Sequence, residues 1–177
     1  MFNYEKELED YICNNQENFI NSLKELFFTN EKIEFIGRQI KIGNNNIVDL
    51  LYYYDEKPKN PPYKDYFERN FIIIELKKGE INTTHINQIA RYITTLADKL
   101  SYKVCEGMIN VYGVLLGEKL NKDTEELSMF LRDYANDTIK FMEYNYDLKY
   151  NSIDLSYKDE YLNQLKLDDR LEKLIGD

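Results

Sequence analysis

The sequence is poor in the residues that build zinc sites, histidine-based catalytic arrays and phosphate-binding loops. Among 177 residues there are seven glycines, two cysteines, one histidine and no tryptophan. Cys13 and Cys105 are far apart and lack a metal-type spacing, which favours reduced thiols and disfavours a zinc site. A single histidine, His85, leaves no Ser-His-Asp or Cys-His arrangement to argue for, and we expect it to face solvent in a helix's first turn. No Gly-rich phosphate loop is present.

The sequence also predicts no targeting signal. The N-terminus is polar and acidic, which predicts that there is no signal peptide. No apolar run approaches the roughly 20 residues that a membrane span needs. Hydrophobic residues make up 43% of the chain, enough for a packed core. We therefore expect a cytoplasmic protein that forms one domain over residues 1–177.

The charge is negative overall but unevenly distributed. The net charge is −9, which argues against a simple electrostatic binder of nucleic acid. Residues 38–103, however, contain eleven Lys or Arg against eight Asp or Glu, a net charge of +3. This split indicates either chance scatter or a basic face on an otherwise acidic body.

Hydrophobic periodicity and turn residues predict alternating strands and helices. Predicted helices cover 3–14, 18–28, 83–100, 123–134 and 157–175. Asn18 is the expected cap of the second helix, and Thr83 or Thr84 that of the third. The core face of the third helix is predicted to consist of Ile86, Ile89, Ala90, Ile93 and Ala97. Predicted strands cover 33–42, 47–54, 71–77, 108–116 and 138–143, and the last is a candidate edge strand. Residues 43–46 are predicted as a hairpin turn, and 144–155 is ambiguous between strand and loop. This order predicts an α/β fold in which a mixed central β-sheet has helices on both faces.

A long polar loop at 56–70 holds all three prolines of the chain. It joins the two strands that carry the unusual charges described next. Long loops without secondary structure are often functional, so its tip either lies over a site there or is a solvated excursion.

Three charged residues interrupt strands that should be apolar. Asp49 lies within 47–54, while Glu75 and Lys77 end the run Phe71–Leu76 and share a face because strand side chains alternate. Burying an unpaired ion costs several kcal/mol, roughly. The simplest compatible chemistry is Mg²⁺ or Mn²⁺ held by Asp49 and Glu75, with the Leu76 backbone carbonyl as a further ligand. Lys77 would position a metal-activated water and neutralise a phosphate.

Supporting groups are expected from two helices. Gln88 and Tyr92 lie four residues apart and therefore share one side of their helix, within reach of Lys77 or a phosphate. Glu9 on the first helix offers another carboxylate, although Glu5 on the same face would serve as well. More ordinary interpretations stay open for the strand residues: Asp49 as a hairpin cap or a partner of Lys77, and Glu75 and Lys77 as a strand-end ion pair. On the helix, Gln88 could be a surface amide and Tyr92 core packing.

These pieces resemble the PD-(D/E)xK nuclease superfamily, in particular its small NucS- and RecB-like endonuclease branch. The matching segments are Leu8–Ile12, Ile36–Gln39, Val48–Leu51, Ile73–Gly79 and Gln88–Tyr92, in the order of that branch. The resemblance implies a restriction-endonuclease-like core with catalytic Asp49, Glu75, Lys77, Gln88 and Glu9, metal ligands Asp49, Glu75 and Leu76, and substrate-binding Tyr92, Arg38, Lys78 and Arg91. It also implies a Mg²⁺- or Mn²⁺-dependent endonuclease acting on DNA, in defence, mobile-element or repair contexts.

Two other functions remain consistent with the sequence. One is a catalytically inactive nuclease-fold module that binds a protein partner or nucleic acid, as an inhibitor or accessory subunit, because acidic flanks favour a protein partner. The other is a structural homodimer with the Tyr-rich region 144–161 at its interface.

Overall fold

A computed structural model describes residues 5–43, 45–58, 66–101, 107–121, 138–147 and 152–157. The predicted helix 123–134 lies outside these residues, as does all but the first residue of the predicted helix 157–175. The helices are α1 (Glu5–Asn14), α2 (Gln16–Leu26) and α3 (Thr83–Ser101). The strands are β1 (Glu34–Lys41), β2 (Ile47–Glu56), β3 (Phe67–Leu76), β4 (Glu80–Ile81), β5 (Gly107–Gly117), β6 (Lys119–Leu120), β7 (Ile139–Asp147) and β8 (Ser152–Tyr157). Within the described ranges, no helix is long and apolar enough to cross a membrane.

Six strands form one mixed sheet in the order β1-β2-β3-β5-β7-β8. β1, β2 and β3 are antiparallel neighbours, and β7 pairs antiparallel with β8. β5 runs parallel to both β3 and β7. β4 and β6 form a separate two-stranded parallel ladder. The predicted mixed α/β sheet is therefore confirmed.

Helices cover both faces of this sheet. On one face, α1 and α2 bury Leu8, Ile12 and Leu23 against alternate residues of β2, β3 and β5. On the other, α3 buries Ile89 and Leu96 against the intervening residues. Full burial of each such side chain stabilises the fold by about 1.5–3 kcal/mol. The two apolar layers confirm the prediction of helices on both faces.

Gly113 explains how closely α3 approaches the sheet. A Cβ atom built on Gly113 would lie 2.6 Å from Cγ1 of Ile89, a distance that real side chains do not tolerate. Only glycine leaves room there for the helix. This contact fixes the depth at which α3 presents its polar side chains to the strand ends.

Several boundary predictions were wrong. β2 pairs with β3 through Glu56, and β3 begins at Phe67, so the loop predicted at 56–70 is shorter. Because the two strands are antiparallel, this loop leaves them at the end opposite Asp49 and Glu75. The predicted edge strand 138–143 is internal, since β8 lies outside it.

Two predicted caps were also wrong. Asn82, not Thr83 or Thr84, caps α3, because its Oδ1 accepts a hydrogen bond from the Thr84 N–H at 3.0 Å. Asn18 lies inside α2, which begins at Gln16. α2 and α3 are otherwise close to their predicted positions.

Of the Tyr-rich region predicted as a dimer surface, residues 148–151 and 158–161 lie outside the described ranges. Tyr144 itself is buried, and its hydroxyl donates to the Lys78 carbonyl at 3.0 Å. Tyr144 therefore packs within the molecule rather than on an exposed patch.

Candidate active site

The strand register brings Asp49 and Glu75 together. Leu50 pairs with Ile74, so the next step along both strands sets Asp49 beside Glu75. Asp49 Oδ2 accepts a hydrogen bond from the Leu76 N–H at 2.8 Å. The Asp49 side chain thus continues the β2–β3 ladder where the backbone pairing ends. The carboxylates meet because each interrupts its strand at the same end of the sheet.

Glu75 is the most constrained charged group of the site. Its side chain is only 4% exposed, and its Oε1 accepts hydrogen bonds from Lys77 Nζ at 2.8 Å and Gln88 Nε2 at 2.6 Å. Its Oε2 is buried and has no hydrogen-bond partner among the described residues. A buried carboxylate oxygen without a partner costs free energy, so this atom is poised to accept a ligand.

Burial and neighbouring charges shift the pKa values of Asp49, Glu75 and Lys77. Burial raises the pKa of Asp49 above its ordinary value, against hydrogen bonds from Leu76 and Gln39. Burial, reinforced by the Asp49 charge, raises the pKa of Glu75 to about 7 although Lys77 is in contact with it. Burial lowers the pKa of Lys77, but the hydrogen bond and charge of Glu75 outweigh it, leaving the pKa above normal. Lys77 is therefore an ammonium ion at neutral pH, and the two carboxylates repel each other.

Gln39 links the helix α1 carboxylate to the site. Its Nε2 donates to Glu9 Oε2 at 2.6 Å and to Asp49 Oδ1 at 3.1 Å. Gln39 has a φ of +51°, close to a register shift between Phe35 and Gly37. Left-handed backbone in a non-glycine residue costs roughly 1–2 kcal/mol and is concentrated at functional sites. Sequence reasoning assigned Gln39 no role, and the only available signal was its place in the Ile36–Gln39 segment.

The helix α1 carboxylates reach the site by different routes. Glu9 is 7% exposed and lies 3.7 Å from Arg38 Nη1, which also bonds Asp10 Oδ1 at 2.6 Å. Glu5 Oε1 lies 3.9 Å from Lys77 Nζ. Glu9 therefore acts on Asp49 through Gln39, whereas Glu5 faces the lysine.

Gln88 and Tyr92 on α3 form a chain of hydrogen bonds that ends at Glu75. Gln88 Nε2 donates to Tyr92 Oη at 2.9 Å as well as to Glu75. Tyr92 is buried among core residues, and the Arg91 guanidinium lies 5.5 Å from the centre of its ring. Arg91 and Lys78 are both exposed. Within the described ranges, the structure thus places Tyr92 behind Gln88, and Arg91 and Lys78 on the surface.

His85 is nearer to the site than predicted. It is half-buried rather than solvent-facing, and its Nδ1 accepts the Asn82 N–H at 3.1 Å. Burial and then the nearby Lys77 charge lower its pKa, so the imidazole is neutral at pH 7. The first turn of α3 therefore adds a neutral ring, not a second cation.

The donor atoms suit a hard divalent cation held in part by water. Among the described residues there is no group of three or more His, Cys, Asp or Glu side chains that could hold a metal. Mg²⁺ commonly binds through one or two carboxylates and keeps several waters, so the Asp49–Glu75 pair with its open Oε2 fits. The Leu76 N–H faces Asp49, whereas the next N–H, that of Lys77, donates to Leu116 on β5. Because a strand residue directs its N–H and C=O to the same neighbour, the Leu76 carbonyl also faces Asp49.

The sequence matches no protein-family model and no curated protein. Two solved structures share part of the backbone arrangement. A repair endonuclease from Pyrococcus abyssi is 21% identical, with a TM-score of 0.49 over 80% of this chain and 46% of its own. The protein in the EndoMS-dsDNA2 complex is 18% identical, with a TM-score of 0.48 over 81% of this chain and 46% of its own. The chain thus spans about half the length of these proteins, and at these scores the likeness carries no argument about activity.

Proposed function

We propose that this protein is a Mg²⁺- or Mn²⁺-dependent endonuclease that hydrolyses DNA phosphodiester bonds. The observation that carries the proposal is the half-buried Asp49 beside the buried Glu75, whose Oε2 has no partner among the described residues and whose Oε1 contacts the ammonium of Lys77. The two carboxylates repel each other, and a divalent cation would relieve this repulsion.

Asp49, Glu75 and the Leu76 carbonyl would hold the cation, which supplies Lewis-acid activation of a phosphoryl oxygen and of a bound water. Asp49 is oriented for this by the Leu76 N–H and by Gln39, and Glu75 by Gln88. These hydrogen bonds fix the carboxylates before substrate arrives, so little reorganisation is needed during the reaction.

Lys77 acts as a cation, not as a general base. Its raised pKa keeps the amine protonated at neutral pH. With its side chain 12% exposed, it can donate hydrogen bonds both to Glu75 and to an incoming water or phosphate oxygen. It therefore positions the nucleophile and offsets the negative charge that develops on the phosphoryl oxygens.

Gln88 and Tyr92 position Glu75, and Gln39 transmits the position of Glu9 to Asp49. Arg38 forms ion pairs with Asp10 and Glu9, so its charge is compensated by the α1 carboxylates. Exposed Lys78 and Arg91 remain the candidates for direct contact with substrate.

A cleavage assay on a panel of substrates tests the proposal. Plasmid, linear duplex, flap and single-stranded DNA, and RNA, are incubated with Mg²⁺ or Mn²⁺ and with wild type or Glu75→Ala. Metal-dependent cutting that Glu75→Ala lacks supports the proposal. Absence of cutting on every substrate contradicts it and favours the non-catalytic binding module.

A further inference from the structure

A groove with two lysines lies at the far end of α3 from Gln88. It is lined by Lys41 and Ile42 of the β1 end, Gly43 of the hairpin turn, and Thr95 and Lys99 of α3, and is called the lysine groove below. Its cavity measures about 470 Å³ and is open to solvent. Sequence reasoning assigned none of these residues a role.

The walls of the groove are fastened to each other. Asn46 Nδ2 donates to Thr95 Oγ1 at 3.0 Å, and Thr95 Oγ1 donates to the Arg91 carbonyl at 2.8 Å. A Cβ atom on Gly43 would lie 2.9 Å from Thr95 Cγ2, so the turn touches the helix directly. The β1–β2 turn and α3 therefore hold the two lysines in a fixed relation to each other.

The groove carries uncompensated positive charge. Lys41 and Lys99 are exposed, and in the described part of the chain neither has a carboxylate within ion-pair distance. Lys32 and Lys119, by contrast, each pair with a glutamate. The nearest acid in sequence, Asp98, is exposed on α3 but is not part of the cavity lining. An anion is thus the ligand that this cavity favours.

The groove shares a helix face with the candidate active site. Gln88, Thr95 and Lys99 are spaced at i, i+7 and i+11, which places them along one stripe of α3. At 1.5 Å per residue the stripe extends about 16 Å from Gln88 to Lys99. Duplex DNA rises 3.4 Å per base-pair step, so this length corresponds to about five steps.

We propose that the lysine groove binds a backbone phosphate of the same nucleic acid whose phosphodiester lies at Glu75, several nucleotides away along α3. The inference rests on the proposed function, because it takes the nucleic acid as the shared ligand. Lysine contacts to phosphate supply affinity and register without reading sequence. The groove would therefore hold the strand on the enzyme while the carboxylate site acts on it.

The test compares two double variants of the full chain that carry the same charge change. Lys41→Gln with Lys99→Gln removes the groove lysines. Lys24→Gln with Lys57→Gln is the control, since Lys24 lies on α2 across the sheet and Lys57 at the other end of β2. Binding to labelled duplex and single-stranded DNA is measured in chelator across a salt series. Hydrolysis of bis(p-nitrophenyl) phosphate, too small to span the stripe, is measured with Mn²⁺.

The inference predicts about tenfold weaker DNA binding for the groove variant, with the slope of log K against log salt reduced by about 1–2. In the control variant, the DNA affinity and its salt dependence should change much less. Hydrolysis of the small diester should match wild type in both variants. Equal losses in the two variants, or no DNA binding by wild type, overturn the inference.

Two further outcomes separate the claims. Lysine-dependent DNA binding without hydrolysis of any diester keeps the groove but removes the proposed endonuclease function. Hydrolysis of the small diester, together with DNA binding that depends no more on Lys41 and Lys99 than on the control lysines, keeps the function and removes the groove. Inorganic phosphate alone is the last probe: if it saturates the groove and DNA does not compete, the ligand is a free anion and the inference fails.

Discussion

The raised pKa of Glu75 makes a quantitative prediction about stability in the absence of metal. The folded protein holds a proton on Glu75 up to about pH 7, whereas the unfolded chain releases it near 4.5. Between these values the folded state binds more protons, so the free energy of unfolding falls as pH rises. Above pH 7 the ionised Glu75 side chain lowers the free energy of unfolding by its full amount. Below pH 4.5 Glu75 is protonated in both states and has no such effect.

The size of the effect follows from the two pKa values. One pH unit between them corresponds to about 1.4 kcal/mol, so ionised Glu75 costs the folded protein about 3 kcal/mol at pH 8. For a chain of this length, 1 kcal/mol shifts the melting temperature by about 2–4 °C. Wild type should therefore lose about 6–12 °C between pH 4.5 and pH 8 through this one group.

Glu75→Gln isolates this contribution. The amide oxygen can still accept from Lys77 and Gln88, and its NH₂ takes the place of the unpartnered oxygen. Any cost of that buried NH₂, roughly 1–3 kcal/mol, is the same at every pH and cancels from the pH dependence. Melting curves of wild type and Glu75→Gln are recorded in chelator from pH 4.5 to 8.5, with Glu68→Gln on the same strand as the control.

We expect the difference in stability between Glu75→Gln and wild type to grow in favour of the variant as pH rises, and to level off above pH 7. Glu68→Gln should track wild type. Parallel pH profiles for wild type and Glu75→Gln would refute the reasoning, because they would show that burial and Asp49 do not destabilise the ionised side chain.

Three further predictions concern the other site residues. At pH 8, Mn²⁺ at a hundredfold excess over its dissociation constant should stabilise wild type by about 2.7 kcal/mol in melting experiments, and Asp49→Asn should lose most of this gain. Lys77→Ala should lower the cleavage rate by about 10²–10³-fold with an unchanged circular dichroism spectrum, whereas Lys57→Ala should cleave like wild type. Gln39→Gly should relieve backbone strain and so keep the melting temperature within a few degrees, yet slow cleavage because Glu9 and Asp49 lose their shared donor. A Gln39→Gly variant with full cleavage would remove Gln39 from the site.

The sequence was enough to predict that the charged strand residues lie close together. Asp49, Glu75 and Lys77 stand out because an ionised group inside an apolar strand needs a partner, and the period of two sets Glu75 and Lys77 on one face. The face of α3 that carries Gln88 and Tyr92 followed in the same way from the helical period. These inferences depend on local geometry alone.

Features that depend on contacts between residues distant in sequence could not be predicted from the sequence. Gln39 reaches Glu9 and Asp49 from a left-handed backbone position on β1 that follows a register shift between Phe35 and Gly37. The position of the 56–70 loop depended on where β2–β3 pairing stops, and pairing extends beyond the apolar run into polar residues. The lysine groove needs the Asn46–Thr95 contact, which joins residues 49 positions apart.

The central claim is that Asp49 and Glu75 hold the metal that a phosphodiester-cleaving site needs. The most direct test is the rate of Mn²⁺-dependent cleavage of a linear DNA duplex by wild type, Glu75→Gln and Glu68→Gln at pH 8. We expect cleavage by wild type and Glu68→Gln and at least a hundredfold loss in Glu75→Gln, roughly what removing a key electrostatic group costs an enzyme. Cleavage by Glu75→Gln at the wild-type rate would contradict it.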